Sequence, residues 1–109
     1  MAKMGMAIRL KPDMVDTYKR LHASPWPEMD AALKAARLRD YSIFLKEPEN
    51  LLFGVWVYDG DDFEGDMKRL GDLDVVRRWL ALTDVCQTPF DTAAPGEWWS
   101  FLPCVYHLD

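Results

Sequence analysis

The sequence predicts an α+β fold, an antiparallel sheet with helices packed on one face. Three observations predict it: a period-two apolar run near the start, two adjacent strand-like runs in the middle, and a pair of helical segments after each of these. The chain has 109 residues, half of them apolar, which suits a single domain over residues 1–109 with a real core.

Met4 to Leu10 alternates, with Met4, Met6, Ile8 and Leu10 on one face, so it reads as a strand that ends at Lys11-Pro12. Asp13 can cap a helix, with Asp16 three residues on in a weak capping-box arrangement. Met14, Val15, Tyr18, Leu21 and His22 then recur at helical spacing. Ser24-Pro25-Trp26-Pro27 stops that helix and opens another, because a helical first turn tolerates proline. Met29, Ala32, Leu33 and Ala36 form the apolar stripe of the second helix.

Tyr41 to Lys46 and Leu51 to Tyr58 read as antiparallel strands joined by the short connection Glu47-Pro48-Glu49-Asn50. The second run is apolar at odd and even positions alike, so both of its faces need cover. After the acidic turn Asp59 to Asp62 a helix carries Phe63, Met67 and Leu70, Gly71 is expected to interrupt it, and a further helix carries Val75, Val76, Trp79 and Leu80. Thr83 to Gly96 reads as an ordered loop. Trp98 to Leu108 reads as a last strand with Trp99, Phe101, Val105 and His107 on one face, and Pro103 puts it at an edge or a bulge. The order strand, helix pair, strand, strand, helix pair, strand is the split βαβ pattern of a ferredoxin-like domain. Its helix-free sheet face, still apolar, predicts a homodimer packed sheet against sheet.

Composition narrows the partners. A net charge of -5 disfavours nucleic acid and anionic membrane surfaces, and no apolar run reaches the roughly 18 residues of a membrane span. The segment before Leu10 is too short and too polar for a signal peptide, so a cytoplasmic protein is expected. Cys86 and Cys104 form no C-x-x-C pair and lie at no metal-ligand spacing from a histidine; both read as buried or half-buried free thiols, and nothing suggests a metal.

The chemistry-bearing candidates are few. His22, at the break between two helices, is the better placed of two histidines, and imidazole exchanges a proton near neutral pH without special tuning. Tyr18 lies four residues earlier on the same helix face and can share a pocket wall with it. His107 sits beside the C-terminus with no evident partner. Five tryptophans, Trp26, Trp56, Trp79, Trp98 and Trp99, exceed what so small a core requires, and sugar sites use such rings against the apolar face of a pyranose. No Ser-His-Asp signature and no Gly-rich phosphate loop is present.

The stretch Tyr18-x-x-x-His22-x-x-x-Trp26-Pro27-Glu28, followed by Tyr41-x-Ile43-x-Leu45 and Asn50-Leu51-Leu52-Phe53, resembles the L-rhamnose mutarotase family over nearly the whole chain. The closing Val105-Tyr106-His107-Leu108 is similar to that family's C-terminal strand. The resemblance implies a ferredoxin-like homodimer that interconverts the α and β anomers of a 6-deoxyhexose without a cofactor. It implies His22 as proton donor and sugar contacts at Tyr18, Tyr41 and the aromatic pair of the fourth helix, with Trp79 as the stacking surface; Trp26, in the matched motif, is a further substrate-binding candidate. Where the rhamnose members tend to carry two adjacent tryptophans this chain has Trp79-Leu80, and Pro95-Gly96-Glu97-Trp98-Trp99 is closer to L-fucose-type members. Ferredoxin-like dimers of this size also include small monooxygenases and ligand-binding modules, so fold alone does not fix the activity.

Overall fold

The alternation near the N-terminus becomes β1 (Ala2–Leu10), and burial of Met6, Ile8 and Leu10 marks its inner face. A computed structural model, which describes residues 2–109, continues the chain into a 3-10 turn at Pro12–Met14, then α1 (Val15–Ala23) and α2 (Pro27–Ala35). Asp13 does not cap α1. It lies inside the 3-10 turn that Pro12 opens, and the residue before α1, Met14, makes no side-chain cap hydrogen bond. Pro27 opens α2 from the first turn, where a missing N–H costs nothing, and Met29 and Ala32 point into the core.

β2 (Leu38–Lys46) starts three residues before the expected strand and pairs antiparallel with β3 (Leu51–Tyr58). Asn50, with φ 58°, turns the chain between them. α3 (Phe63–Asp72) begins at Asp62, whose carboxylate accepts the Gly65 N–H at 3.1 Å. Gly71 is not the break the sequence suggested. The helix runs through it, and Leu73, extended at ψ 137°, separates α3 from α4 (Asp74–Asp84). Within the expected loop a two-residue strand, β4 (Gln87–Thr88), pairs with β1. The last strand is far shorter than expected: β5 (Ser100–Leu102) pairs with β1 from Gly5 to Ala7, and the segment from Pro103 onward is exposed, with Val105 at 94 %. Proline cannot donate to the ladder, so pairing ends before it. Cys104 is therefore exposed, contrary to the sequence reading, whereas Cys86 is fully buried; both are free thiols. His107 has a partner after all, in an exposed contact of 2.9 Å with Asp109.

The sheet order β2-β3-β1-β4 with antiparallel neighbours, β5 sharing the β1 edge, is the ferredoxin-like arrangement. Every helix covers the same face. Val15 and Tyr18 of α1 pack with Ile8, Leu10 and Leu52, while Phe63, Met67 and Leu70 of α3 pack with Met6, Trp56 and Tyr58. A third cluster, Met29, Ala32, Val76 and Trp79, joins α2 to α4. On the other face Phe44 and Phe53 stand opposite each other in register, exposed at 62 % and 38 %.

Candidate active site

Between the inner face of the sheet and the helices lies a cleft of about 1090 Å³, lined by Tyr18, His22, Trp26, Tyr41 and Trp79 among others. That is room for a small polar molecule with space to spare, since small-molecule clefts run to roughly 300–1000 Å³. All the residues singled out from sequence for a sugar site thus meet in one cavity.

The helix spacing explains one wall. Tyr18 and His22, four apart on α1, present their rings on one side, and Trp26, extended just before Pro27 opens α2, joins the same wall through Trp79. The Tyr18 and His22 ring centroids are 4.2 Å apart, and Trp79 from α4 meets both His22, at 5.3 Å, and Trp26, at 5.1 Å, edge on. Trp79 is only 8 % exposed, so it is a core wedge between α2 and α4 as well as a cleft wall.

The second wall depends on a bulge. Leu38 pairs with Tyr58 and Arg39 with Val57, but the register then shifts so that Ser42 pairs with Val55. Asp40 and Tyr41 together oppose one residue, Trp56, and the left-handed φ of Asp40, 51°, absorbs the extra length. The Tyr41 ring lies 5.0 Å from Trp56, edge to face. At Gly54 a Cβ would come within 3.2 Å of Met6 Cγ and would touch the Trp99 ring at 3.6 Å, so a glycine here leaves the Met6 side chain its room beneath Trp99.

The tautomer of His22 follows from one contact. Its Nδ1 lies 3.0 Å from the main-chain oxygen of Tyr18, and a carbonyl can only accept, so Nδ1 carries a proton and donates it there. Nε2 is left as the nitrogen that can take and return a proton. Both phenols stay neutral. Burial pushes Tyr41 up to about 12, and burial, then repulsion from Tyr41, raises Tyr18 further against the opposing hydrogen bond from Gln87. Neutral phenols can serve as hydroxyl donors and acceptors, not as phenolate bases.

This has a measurable consequence for stability. A phenol whose value is raised in the fold stabilises the native state fully below about pH 10, its unfolded value, and loses that contribution as pH rises toward about 12. The urea midpoint should therefore fall between about pH 9.5 and 12, with a shallower fall in Tyr18→Phe and Tyr41→Phe. Equal slopes in wild type and both variants would show that these phenols do not carry the effect.

Sequence reasoning assigned no role to Gln87 or Glu97. Gln87 is 3 % exposed and hydrogen-bonds Tyr18 and Trp98, and Glu97 accepts from the Ala94 N–H and the Ser100 hydroxyl at the cleft. A single glutamine in an apparent loop carries no local signal, because its partners lie 69 and 11 residues away. Glu97 stood inside the Pro95 to Trp99 stretch, where only the resemblance could have drawn notice. Among the described residues no group of three His, Cys, Asp or Glu side chains could hold a metal ion.

Comparison with known proteins agrees with this geometry. The L-rhamnose mutarotase family model matches residues 3–108. An L-rhamnose mutarotase of Burkholderia orbicola is 38 % identical over 110 residues, covering all of both chains. The crystal structure of an L-rhamnose mutarotase from Formosa agariphila superposes with a TM-score of 0.77 at 22 % identity, again over both whole chains. Tetracenomycin F2 cyclase from Streptomyces glaucescens shares the fold, with a TM-score of 0.69 at 14 % identity over 100 % of this chain and 98 % of its own. A shared fold would leave the family open; the match across almost every residue does not, and the chain belongs to the L-rhamnose mutarotase family.

Proposed function

We propose that this protein interconverts the α and β anomers of L-rhamnose by acid/base opening and closure of the pyranose ring. The observation that carries the reading is His22, its Nδ1–H fixed on the Tyr18 carbonyl and its Nε2 free, in a cleft walled by Trp26, Trp79 and Tyr41. Family membership supplies the sugar.

The ring opens when the ring oxygen gains a proton and the anomeric hydroxyl loses one, so that the bond from C1 to the ring oxygen breaks and C1 becomes an aldehyde. Rotation about the C1–C2 bond turns the aldehyde, and closure on its other face reverses both transfers. In its protonated form His22 gives the Nε2 proton to the ring oxygen, keeps the Nδ1 proton on the Tyr18 carbonyl, and recovers the Nε2 proton on closure. Tyr18 and Tyr41 orient the sugar hydroxyls, and Trp79, with Trp26 beside it, offers an apolar surface to the C–H face. The second proton carrier is a hydroxyl, a water or a carboxylate, and the carboxylates that line the cleft are Asp30 and Glu97. The step forms no covalent adduct, so it calls on no nucleophile or cofactor.

The apolar outer face of the sheet, with Phe44 facing Phe53 and Leu102 also exposed, is covered in our reading by a second copy of the chain. Phe44→Asp should convert the homodimer to monomer in sedimentation velocity, and a monomeric wild type would refute the pairing. Among the described residues no helix is long and apolar enough to cross a membrane. The exposed free thiol of Cys104 suits a reducing compartment, and on that ground we propose the cytoplasm. The substrate is tested by following anomer exchange of L-rhamnose, L-fucose and unmodified aldoses with and without the protein. Acceleration greatest for L-rhamnose is expected; acceleration of none would defeat the reading.

A further inference from the structure

We propose that Gln87 is a positioning residue that fixes the hydrogen-bond polarity of Tyr18, making its hydroxyl a donor to the sugar. The inference rests on the function proposed above and adds a direction to one of its contacts.

The direction follows from a chain of three groups. The Trp98 indole Nε1–H, which can only donate, lies 3.0 Å from Gln87 Oε1. This fixes the amide, because the flipped orientation would set an NH₂ against an indole N–H. Gln87 Nε2 then faces Tyr18 Oη, at 3.4 Å, and must donate to it. Tyr18 accepts that bond and its own O–H is left to point elsewhere. Gln87 and Tyr18 are both buried, at 3 % and 5 % exposure, yet both line the cleft, so the open direction is the cleft itself. Gln87 is in turn held in register by the pairing of β4 with β1, opposite Leu10. The β4 strand, too short to matter to the sheet, thus has a use: it delivers one amide to the back of Tyr18. A raised phenol value agrees with a Tyr18 that keeps its proton to donate.

Gln87→Glu tests this because the shape is kept and the polarity reversed. The carboxylate it introduces, when ionised, accepts from both Trp98 and Tyr18, turning the Tyr18 proton away from the sugar. Anomer exchange should fall about tenfold at neutral pH, the worth of one buried hydrogen bond, with the fold intact by circular dichroism. At acid pH the carboxyl protonates and donates to Tyr18 again, so the wild-type to Gln87→Glu rate ratio should return toward one. The titratable groups around this pair, Tyr18, His22, Tyr41, Cys86 and Glu97, are present in both proteins, so a ratio that recovers at acid pH but stays depressed at neutral pH follows the introduced carboxylate. A merely structural loss would give a ratio that stays flat with pH. If Gln87→Glu does not fold, Trp98→Phe frees the amide to flip and should lower exchange a few-fold. A folded Gln87→Glu at wild-type rate, a flat ratio, or a wild-type rate in Trp98→Phe would overturn the role of Gln87 alone. A wild type that accelerates no sugar would instead overturn the proposed function and this inference with it.

Discussion

His22→Ala abolishes most of the catalysed exchange, lowering its rate by about 10²-fold or more while the protein stays folded. The half-buried imidazole touches the buried rings of Tyr18 and Trp79 from the cleft side, and its one hydrogen bond runs to the carbonyl of its own helix, so its loss widens the cleft more than it empties the core. In the proposed mechanism alanine removes the nitrogen that shuttles the proton. A positioned acid or base contributes about 10²- to 10⁴-fold, roughly 3 to 5 kcal/mol of barrier. Ring opening of a free sugar is already fairly fast, so an acceleration of that size is all the reaction needs. Saturation transfer between the two anomeric protons gives the rate directly, and an unchanged rate in a folded variant would remove His22 from the mechanism.

Trp79→Ala costs more in stability than any other change in the site, about 3–5 kcal/mol. Its ring is almost fully buried among Met29, Ala32 and Val76, and also braces His22 and Trp26. In a domain of this size that loss lowers the melting temperature by about 10 °C or more, at about 4 °C per kcal/mol. Because instability alone would reduce activity, Trp79→Phe separates the two duties: it keeps a ring in the wedge but narrows the wall presented to the sugar. KM should rise a few-fold with kcat little changed, since a stacking contact binds ground state and transition state alike. A wild-type KM for Trp79→Phe would assign Trp79 to the core only, and a Trp79→Ala melting curve like that of the wild type would contradict the wedge.

Both variants concern residues that sequence reached by different routes. Trp26 stands outside both helices, but Tyr18 and His22 were legible from local spacing, because a helical repeat of four puts side chains on one face whatever the rest of the chain does. Tyr41 and Trp79 were not. Their place in the same cleft depends on a bulge at Asp40 and on the packing of α4 against α2, both non-local, and only the family resemblance brought them together. Periodicity found β1 and both helix pairs, while strand-like composition between turn residues found β3 and most of β2. It overran at Trp98 to Leu108, where apolar residues continue past Pro103 but have no strand to pair with, and it missed β4, whose two residues offer no period to read. Gly71 misled because low helix propensity, about 1 kcal/mol for glycine, is outweighed when the flanking Met67 and Leu70 are packed on the sheet. Gln87, the least legible residue of the site, acquires meaning only from partners brought by tertiary structure.

The most direct test of the account follows the two anomeric protons of L-rhamnose at equilibrium, irradiating one and observing the other, with catalytic amounts of the protein at neutral pH. Transfer of saturation should rise in proportion to protein concentration, and His22→Ala should return it nearly to the rate in buffer. Transfer that does not depend on the protein, or that survives in full without His22, would contradict the account.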